Sequence, residues 1–278
     1  MRHTRTLAIA AALTLAASAL TACGNNGTTA SSTSGGLTTI TVGASPTPHA
    51  VILQYVQDNL AKDAGLKLDI VTYNDYVQPN KALADKTLDA NYFQHLPYLK
   101  AQEAEFNYDF YAFPGIHIEP IGVYSKKITS LDAVPDKGLV GVPNDPANEG
   151  RALKLLVAQK LIGLKDTGDK DPTLLDIADN PHNLKFQEIA AEQLALSLRD
   201  LDLAVINGNF AISAGLNPAK DSLALESGQG NPYGNMLVVR TADKDKAALV
   251  KLNDLLHSEK VKQFITSQWP DGSVIPAF

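Results

Sequence analysis

From residue 38 onward, short β-rich runs alternate with stretches in which apolar residues recur every three or four positions. Thr38–Val42 predicts a strand, and Pro46 and Pro48 a turn. A helix follows with Ile52, Leu53, Val56 and Leu60 on one face, stopped at Gly65. Lys67–Tyr73 reads as a second strand, Gln78–Lys86 as a short helix, Leu88–Phe93 as a third strand and Pro97–Phe106 as another helix. A βαβαβ run of this kind predicts a parallel sheet with helices on both faces. Ile116–Ser125 looks extended and bridges to a second run. That run comprises strand Leu139–Val142, helix Gly150–Leu161, strand Lys185–Glu188, helix Glu192–Leu198 and strand Leu203–Ile206. A polar loop, Leu164 to Asn183, interrupts it. Strand Met236–Arg240 and helices Lys246–His257 and Glu259–Ser267 close the chain. The fold class is α/β, with two lobes and a ligand cleft between them. Residues 38–120 with 233–278 form lobe 1, and residues 121–232 form lobe 2.

The first residues do not share this alternation. Two arginines lie within Met1–Arg5, and Leu7–Ala22 is a nearly unbroken apolar stretch of sixteen residues ending in small ones. That layout predicts a secretory signal over residues 1–22. A membrane-spanning helix needs about 20 apolar residues, and this run is shorter and closes on Cys-Gly-Asn-Asn. Leu20-Thr21-Ala22-Cys23 resembles a bacterial lipobox. The resemblance implies that Cys23 is acylated through sulfur and becomes the N-terminus, with two buried chains holding the protein on the outer face of the cell membrane. The alternative is an ordinary cleaved signal followed by an incidental cysteine. Gly24 to Gly36, rich in Gly, Ser, Thr and Asn and free of charge, reads as a flexible tether, so that residues 23–37 join anchor to fold.

Composition narrows the function. Cys23 is the single cysteine, so the folded part has no internal disulfide and no thiolate metal cluster. Hydrophobic residues make up 45% of the 278 and charged residues 19%, which supplies a substantial core and excludes disorder over most of the length. The chain has 24 basic and 30 acidic residues. Without Arg2 and Arg5 the balance is 22 against 30, a net charge of −8 with no field to attract nucleic acid. G-x-S-x-G, P-loop and paired-cysteine signatures are missing. Gly228-Gln229-Gly230-Asn231 imitates the start of a dinucleotide fingerprint but lies far from any opening strand and reads as a loop. Neither catalysis nor a cofactor is called for.

In parallel α/β sheets ligands bind beyond the carboxyl ends of strands, so the residues there are the candidates. Lobe 1 offers Tyr73, Tyr76, Phe93, His95, Tyr98 and His117; lobe 2 offers Arg151 and Asn207, with Asn235 just before the last strand. Asn148 reads as an N-cap, which puts Arg151 in the first turn of its helix. A cation there opposes the helix dipole by about 0.3–1 kcal/mol. Either the guanidinium converges with backbone N–H groups on an anion such as a carboxylate, or it is a solvated surface arginine. An asparagine amide both donates and accepts, which suits a zwitterion; for Asn207, followed by Gly208, turn chemistry is the other explanation. The aromatic group could box in a thioether or aliphatic side chain, sulfur–aromatic contacts contributing about 0.3–1.5 kcal/mol. Half of it could equally be core, Tyr92 included. His95 and His117 could ligate a metal, but no HxH or HExxH spacing or carboxylate cluster accompanies them.

Seven segments together resemble the methionine-binding lipoproteins of bacterial ABC importers, the NlpA/MetQ-type family. They are VGASPTPHA (42–50), NDYVQPNKALAD (74–85), LDANYFQHLPYL (88–99), VPNDPANEGRALKLL (142–156), AVINGN (204–209), YGNMLVVR (233–240) and VIPAF (274–278). The resemblance implies a two-lobed periplasmic-binding-protein (type II-like) fold, usually monomeric, that delivers its cargo to a permease driven by a cytoplasmic ATPase. It implies a ligand that is L-methionine or a related zwitterion such as D-methionine or a Met dipeptide. Arg151 would meet the ligand carboxylate, Asn207 and Asn235 its amino and carboxylate groups, and Tyr73, Tyr76, Phe93, His95, Tyr98 and His117 would enclose the thioether. Val51 and Glu149 depart from the pattern, and Glu149 is expected to compete for Arg151. Two other classes stand as alternatives: a metal-delivery lipoprotein using His95 and His117, and a surface adhesin that leaves the cleft idle.

Overall fold

The computed structural model describes residues 33–34 and 36–278. The signal, Cys23 and most of the tether lie outside them. Its first sheet is built from β1 (Leu37–Ala44), β2 (Leu66–Thr72), β3 (Ala90–His95) and β4 (Phe110–Ile118). The helices between are α1 (His49–Val56, prolonged by a π-turn over Gln57–Ala61), α2 (Gln78–Ala84) and α3 (Leu96–Phe106). The chain then enters a second sheet through β5 (Gly122–Tyr124) and continues with β6 (Leu139–Pro143), α4 (Pro146–Ala158), β7 (Lys185–Ile189), α5 (Ala191–Ser197), β8 (Leu203–Ile206), α6 (Gly208–Ser213) and β9 (Ala224–Leu225). It returns to the first sheet as β10 (Gly234–Arg240), followed by α7 (Ala247–Leu256), α8 (Glu259–Gln268) and β11 (Ile275–Pro276). Two crossings, at 119–121 and 226–233, therefore join two α/β lobes.

In the first sheet β1 pairs parallel with both β2 and β3, as the alternation predicts. β10 runs antiparallel between β3 and β4. Period-two alternation sends its residues to opposite faces. Leu237 and Val239 join the core under α1, α7 and α8, with Ile52, Leu53, Leu252 and Ile265. Met236 and Val238 join Leu83, Leu88 and Leu99 under α2 and α3. The second sheet has the order β7-β6-β8-β5-β9, with β7, β6 and β8 mutually parallel and β5 antiparallel to β8. Here Leu203 and Val205 pack with Leu153 and Leu156 of α4, whereas Ala204 and Ile206 pack with Leu194 of α5 and Phe210. Both sheets are thus buried on two faces, the arrangement that makes their strands read as apolar runs.

Three expectations are corrected. Helix α4 starts at Pro146, not Gly150: Asp145 is the N-cap, accepting from the Asn148 backbone N–H at 2.9 Å, and proline fits the first turn because its missing donor is not needed there. Arg151 is consequently in the second turn. The strand expected over Ile116–Ser125 is two strands, β4 beginning at Phe110 and β5 lying in the other sheet. The polar 164–183 loop contains a small antiparallel ladder, Gly163–Leu164 against Ile177–Asp179. Among the described residues no helix is long and apolar enough to cross a membrane.

Candidate functional site

Strand register assembles the floor of the site. Asn235 on β10 lies opposite His95 on β3 and opposite His117 on β4, so one row across the sheet carries three candidates from distant sequence. The carboxyl ends of β6 and β8 face this row from the other lobe, through the start of α4 and through Asn207 and α6. Between them is a narrow cleft, drawn nearly shut in this structure around a cavity of about 20 Å³. Tyr76, Phe93, His95, Tyr98, Arg151, Asn207 and Asn235 line it, seven of the nine expected residues.

Tyr73 and His117 are off the cleft. Tyr73 follows β2, an edge strand, and packs with Leu83 and Leu88 in the core under α2 and α3. His117 is fully buried and spends both ring nitrogens: Nδ1 on the Tyr92 hydroxyl, Nε2 on Glu119 Oε1 at 2.7 Å. The lobes also touch directly around the cleft. Tyr76 Oη donates to Asn209 Oδ1 at 2.6 Å, Phe93 and Tyr98 pack on Ala147, and the Tyr76 and Phe210 ring centroids lie 4.8 Å apart.

The polar wall has a defined donor–acceptor polarity. Asp145 accepts from Asn148 Nδ2, which turns Asn148 Oδ1 outward to accept from Asn207 Nδ2 at 2.8 Å and from His95 Nε2 at 3.1 Å. His95 Nδ1 accepts the Tyr98 backbone N–H, so the proton of the neutral ring belongs on Nε2. Burial first, and then the Arg151 charge, hold the His95 pKa down to about 3. The chain of bonds leaves Asn207 Oδ1 as a buried acceptor without a partner among the described residues, and Asn209 Nδ2 as a buried donor in the same condition. Buried polar atoms are normally paired, so this wall is built to be completed from the cleft.

Arg151 is 3% exposed, which removes the solvated-arginine reading. Its Nε reaches Glu226 Oε1 at 3.0 Å, its Nη2 reaches Glu226 and the Glu119 carbonyl (2.8 Å), and the Tyr233 ring stacks 4.1 Å from its Cζ. Nη1 makes no hydrogen bond among the described residues and is the donor left over. Glu149, the expected competitor, does not reach it: Glu149 Oε1 accepts from the Leu174 backbone N–H at 3.0 Å. Glu226 takes that part, and because it also accepts from Asn231 Nδ2 it ties Arg151 to the return crossing.

The metal alternative meets a different cluster. His49, His117 and Glu119, not His95, bring ligand-type atoms within 4.8 Å of one another. Those atoms are already committed: His49 Nε2 faces Asn235 Oδ1 at 2.9 Å and Glu119 Oε1 at 3.2 Å, so both neighbours are oxygens and the nitrogen carries a proton. The trio forms a polar floor through the His49–Asn235 and His117–Glu119 hydrogen bonds, with His49 Nδ1 left buried and without a partner among the described residues. Glu119, Asn148, Asn209, His49 and Glu226 were not singled out as site residues from the sequence. Glu119 has a local signal, a carboxylate inside the apolar run IHIEPIGVY (116–124), and Asn148 and Asn209 share the position after a strand with the residues that are suggested.

A cleft between two twice-connected α/β lobes, with aromatics on one wall and a guanidinium and amides on the other, defines a two-lobed solute-binding protein of the periplasmic type. The family model described as NlpA lipoprotein matches residues 40–278, and the chain belongs to that family. It is 41% identical over 275 residues to the methionine-binding lipoprotein MetQ of Bacillus subtilis, covering 97% of this chain and 98% of that protein. It is 44% identical to the D-methionine-binding lipoprotein MetQ of Escherichia coli, over 79% of this chain and 82% of the relative. A nutrient-binding protein from Burkholderia cenocepacia, solved bound to methionine, superposes with a TM-score of 0.82 at 45% identity, over 86% of this chain and all of that one.

Proposed function

We propose that the chain is the extracytoplasmic substrate-binding lipoprotein of an ABC importer and that it captures methionine between its lobes for delivery to a permease. The observation that carries this reading is the convergence of complementary groups in one cleft. Arg151 Nη1 and Asn209 Nδ2 are donors for a carboxylate, Asn207 Oδ1 is an acceptor for an ammonium, and Tyr76, Phe93 and Tyr98 form an apolar, polarizable box for a thioether. The names of the relatives and the methionine in the Burkholderia structure support it further.

Residues 38–120 with 233–278 and residues 121–232 are the two bodies that close on the ligand, bending at the crossings. Closure is favoured by as much as methionine binds the closed form better than the open one. Methionine has nine non-hydrogen atoms, so at about 1.5 kcal/mol each the ceiling is near 13 kcal/mol, about nanomolar. Acylated Cys23 would hold the receptor, as a monomer, on the outer face of the membrane beside the permease. Native mass spectrometry of the purified protein tests the ligand. A co-purifying mass of methionine that exchanges with added methionine supports the reading; a different zwitterion or a Met dipeptide in its place keeps the class and changes the cargo. A protein that takes up no zwitterion contradicts it.

A further inference from the structure

We propose that Glu119 touches the bound ligand and selects for a free, protonated amino group over a hydroxyl or an acylated nitrogen at the same position. This deepens the zwitterion reading of the cleft and rests on it. Glu119 is 5% exposed and lines the cavity, at the crossing where β4 of one lobe becomes β5 of the other. Gly208 makes that approach possible: a Cβ there would come within 2.8 Å of the Glu119 Cβ. Both residues are therefore held at the seam, beside the unpartnered acceptor of Asn207.

Among the described residues this carboxylate has no ion pair with a charged side chain of its own; burial pushes its carboxyl up, and the Asn209 backbone N–H and the Arg151 charge only partly offset that. Arg151 meets the Glu119 backbone carbonyl, while its ion pair is made with Glu226. Glu119 Oε1 instead accepts from His117 Nε2 at 2.7 Å and stands 3.2 Å from His49 Nε2. Burial holds both rings neutral, with pKa values lowered to about 3 for His117 and about 4 for His49. Neutral donors position a carboxylate without cancelling its charge, and a buried charge without a counter-ion is costly. An ammonium supplies three donors and the missing charge, for Glu119 and for Asn207 Oδ1. A hydroxyl supplies one donor and no charge, and an acylated nitrogen adds bulk as well.

The test is calorimetric titration of the wild-type protein and Glu119→Gln with methionine and with its 2-hydroxy analogue, 2-hydroxy-4-(methylthio)butanoate. The wild type is expected to prefer methionine by about 100-fold, and Glu119→Gln to lose about tenfold or more of that preference, mainly through methionine, as befits one charge-assisted hydrogen bond. Glu119→Asp, which keeps the charge with a shorter reach, should retain more of the preference than Gln and serves if the Gln variant does not fold. A preference unchanged in Glu119→Gln overturns the inference while methionine binding by the wild type preserves the receptor reading. A wild type that binds both compounds equally also overturns it. A wild type that binds neither overturns the methionine reading itself and this inference with it.

Discussion

Replacing Arg151 with Met separates two roles of one side chain. In binding, the variant loses the guanidinium and with it the Nη1 donor offered to a ligand carboxylate. A hydrogen bond to a charged group contributes about 1.5–3 kcal/mol, so the methionine Kd should rise about 10- to 150-fold. In stability, Glu226 loses its partner. Breaking a fully buried pair costs about 3–5 kcal/mol. Glu226 is 17% exposed and keeps Asn231 Nδ2 at 2.8 Å and the Ile121 N–H at 3.4 Å, so the cost here is about 2 kcal/mol. For a domain of this size that lowers Tm by about 4–8 °C. Adding Glu226→Gln removes the unpaired charge but restores no donor to the cleft. The double variant should therefore recover most of the Tm and none of the affinity, read by calorimetric titration and thermal denaturation. Methionine affinity within about 3-fold of wild type in the single variant, or restored in the double, would refute a ligand-binding role for Arg151.

Other outcomes follow from the same contacts. Tyr76→Phe removes the 2.6 Å bond to Asn209 that spans the lobes, so methionine should bind about 2- to 12-fold more weakly and leave faster, and wild-type affinity would contradict the contact's role in closure. His49, His95 and His117 have folded pKa values of about 4, 3 and 3 against about 6.5 unfolded, so between these limits the unfolded chain binds more protons. Stability should be full above about pH 6.5 and fall as pH drops toward 4, by up to about 4 kcal/mol per pH unit for three protons. Glu119, Asp145 and Glu149, whose carboxyls burial pushes up, offset part of that at the acid end. A Tm that stays flat from pH 7.5 to 5 would contradict neutral burial of the rings. Treatment with EDTA should leave Tm unchanged, because His117 Nε2 is hydrogen-bonded to Glu119 and His49 Nε2 to Asn235; a fall would place an ion among them.

What the sequence reveals follows the range of the interactions. The α/β alternation and the parallel β1–β2–β3 core are written in local periodicity, so they are legible. The position of β10 between β3 and β4 is not, yet it brings Asn235 beside His95 and His117. The first half of β4 is hidden because Pro114 and Gly115 interrupt its alternation, at a place where the pairing with β10 shifts register. Pro146 suggests a loop and Asn148 an N-cap, yet Pro146 opens α4 under the Asp145 cap, which places Arg151 in the second turn rather than the first. Aromatic and amide residues after strands are visible as a group because strand ends point at clefts. The pairs that tune them are not visible, since His49 meets Asn235 across 186 residues and Arg151 meets Glu226 across 75.

The central claim is that the cleft recognises methionine as a zwitterion with a thioether. Its most direct test is calorimetric titration of the unfolded-and-refolded, ligand-free protein with L-methionine. The account predicts saturable one-to-one binding, micromolar or tighter, with a negative heat-capacity change from burial of the side chain. No saturable heat with methionine at millimolar concentration, from protein shown to be folded by its thermal transition, would contradict it.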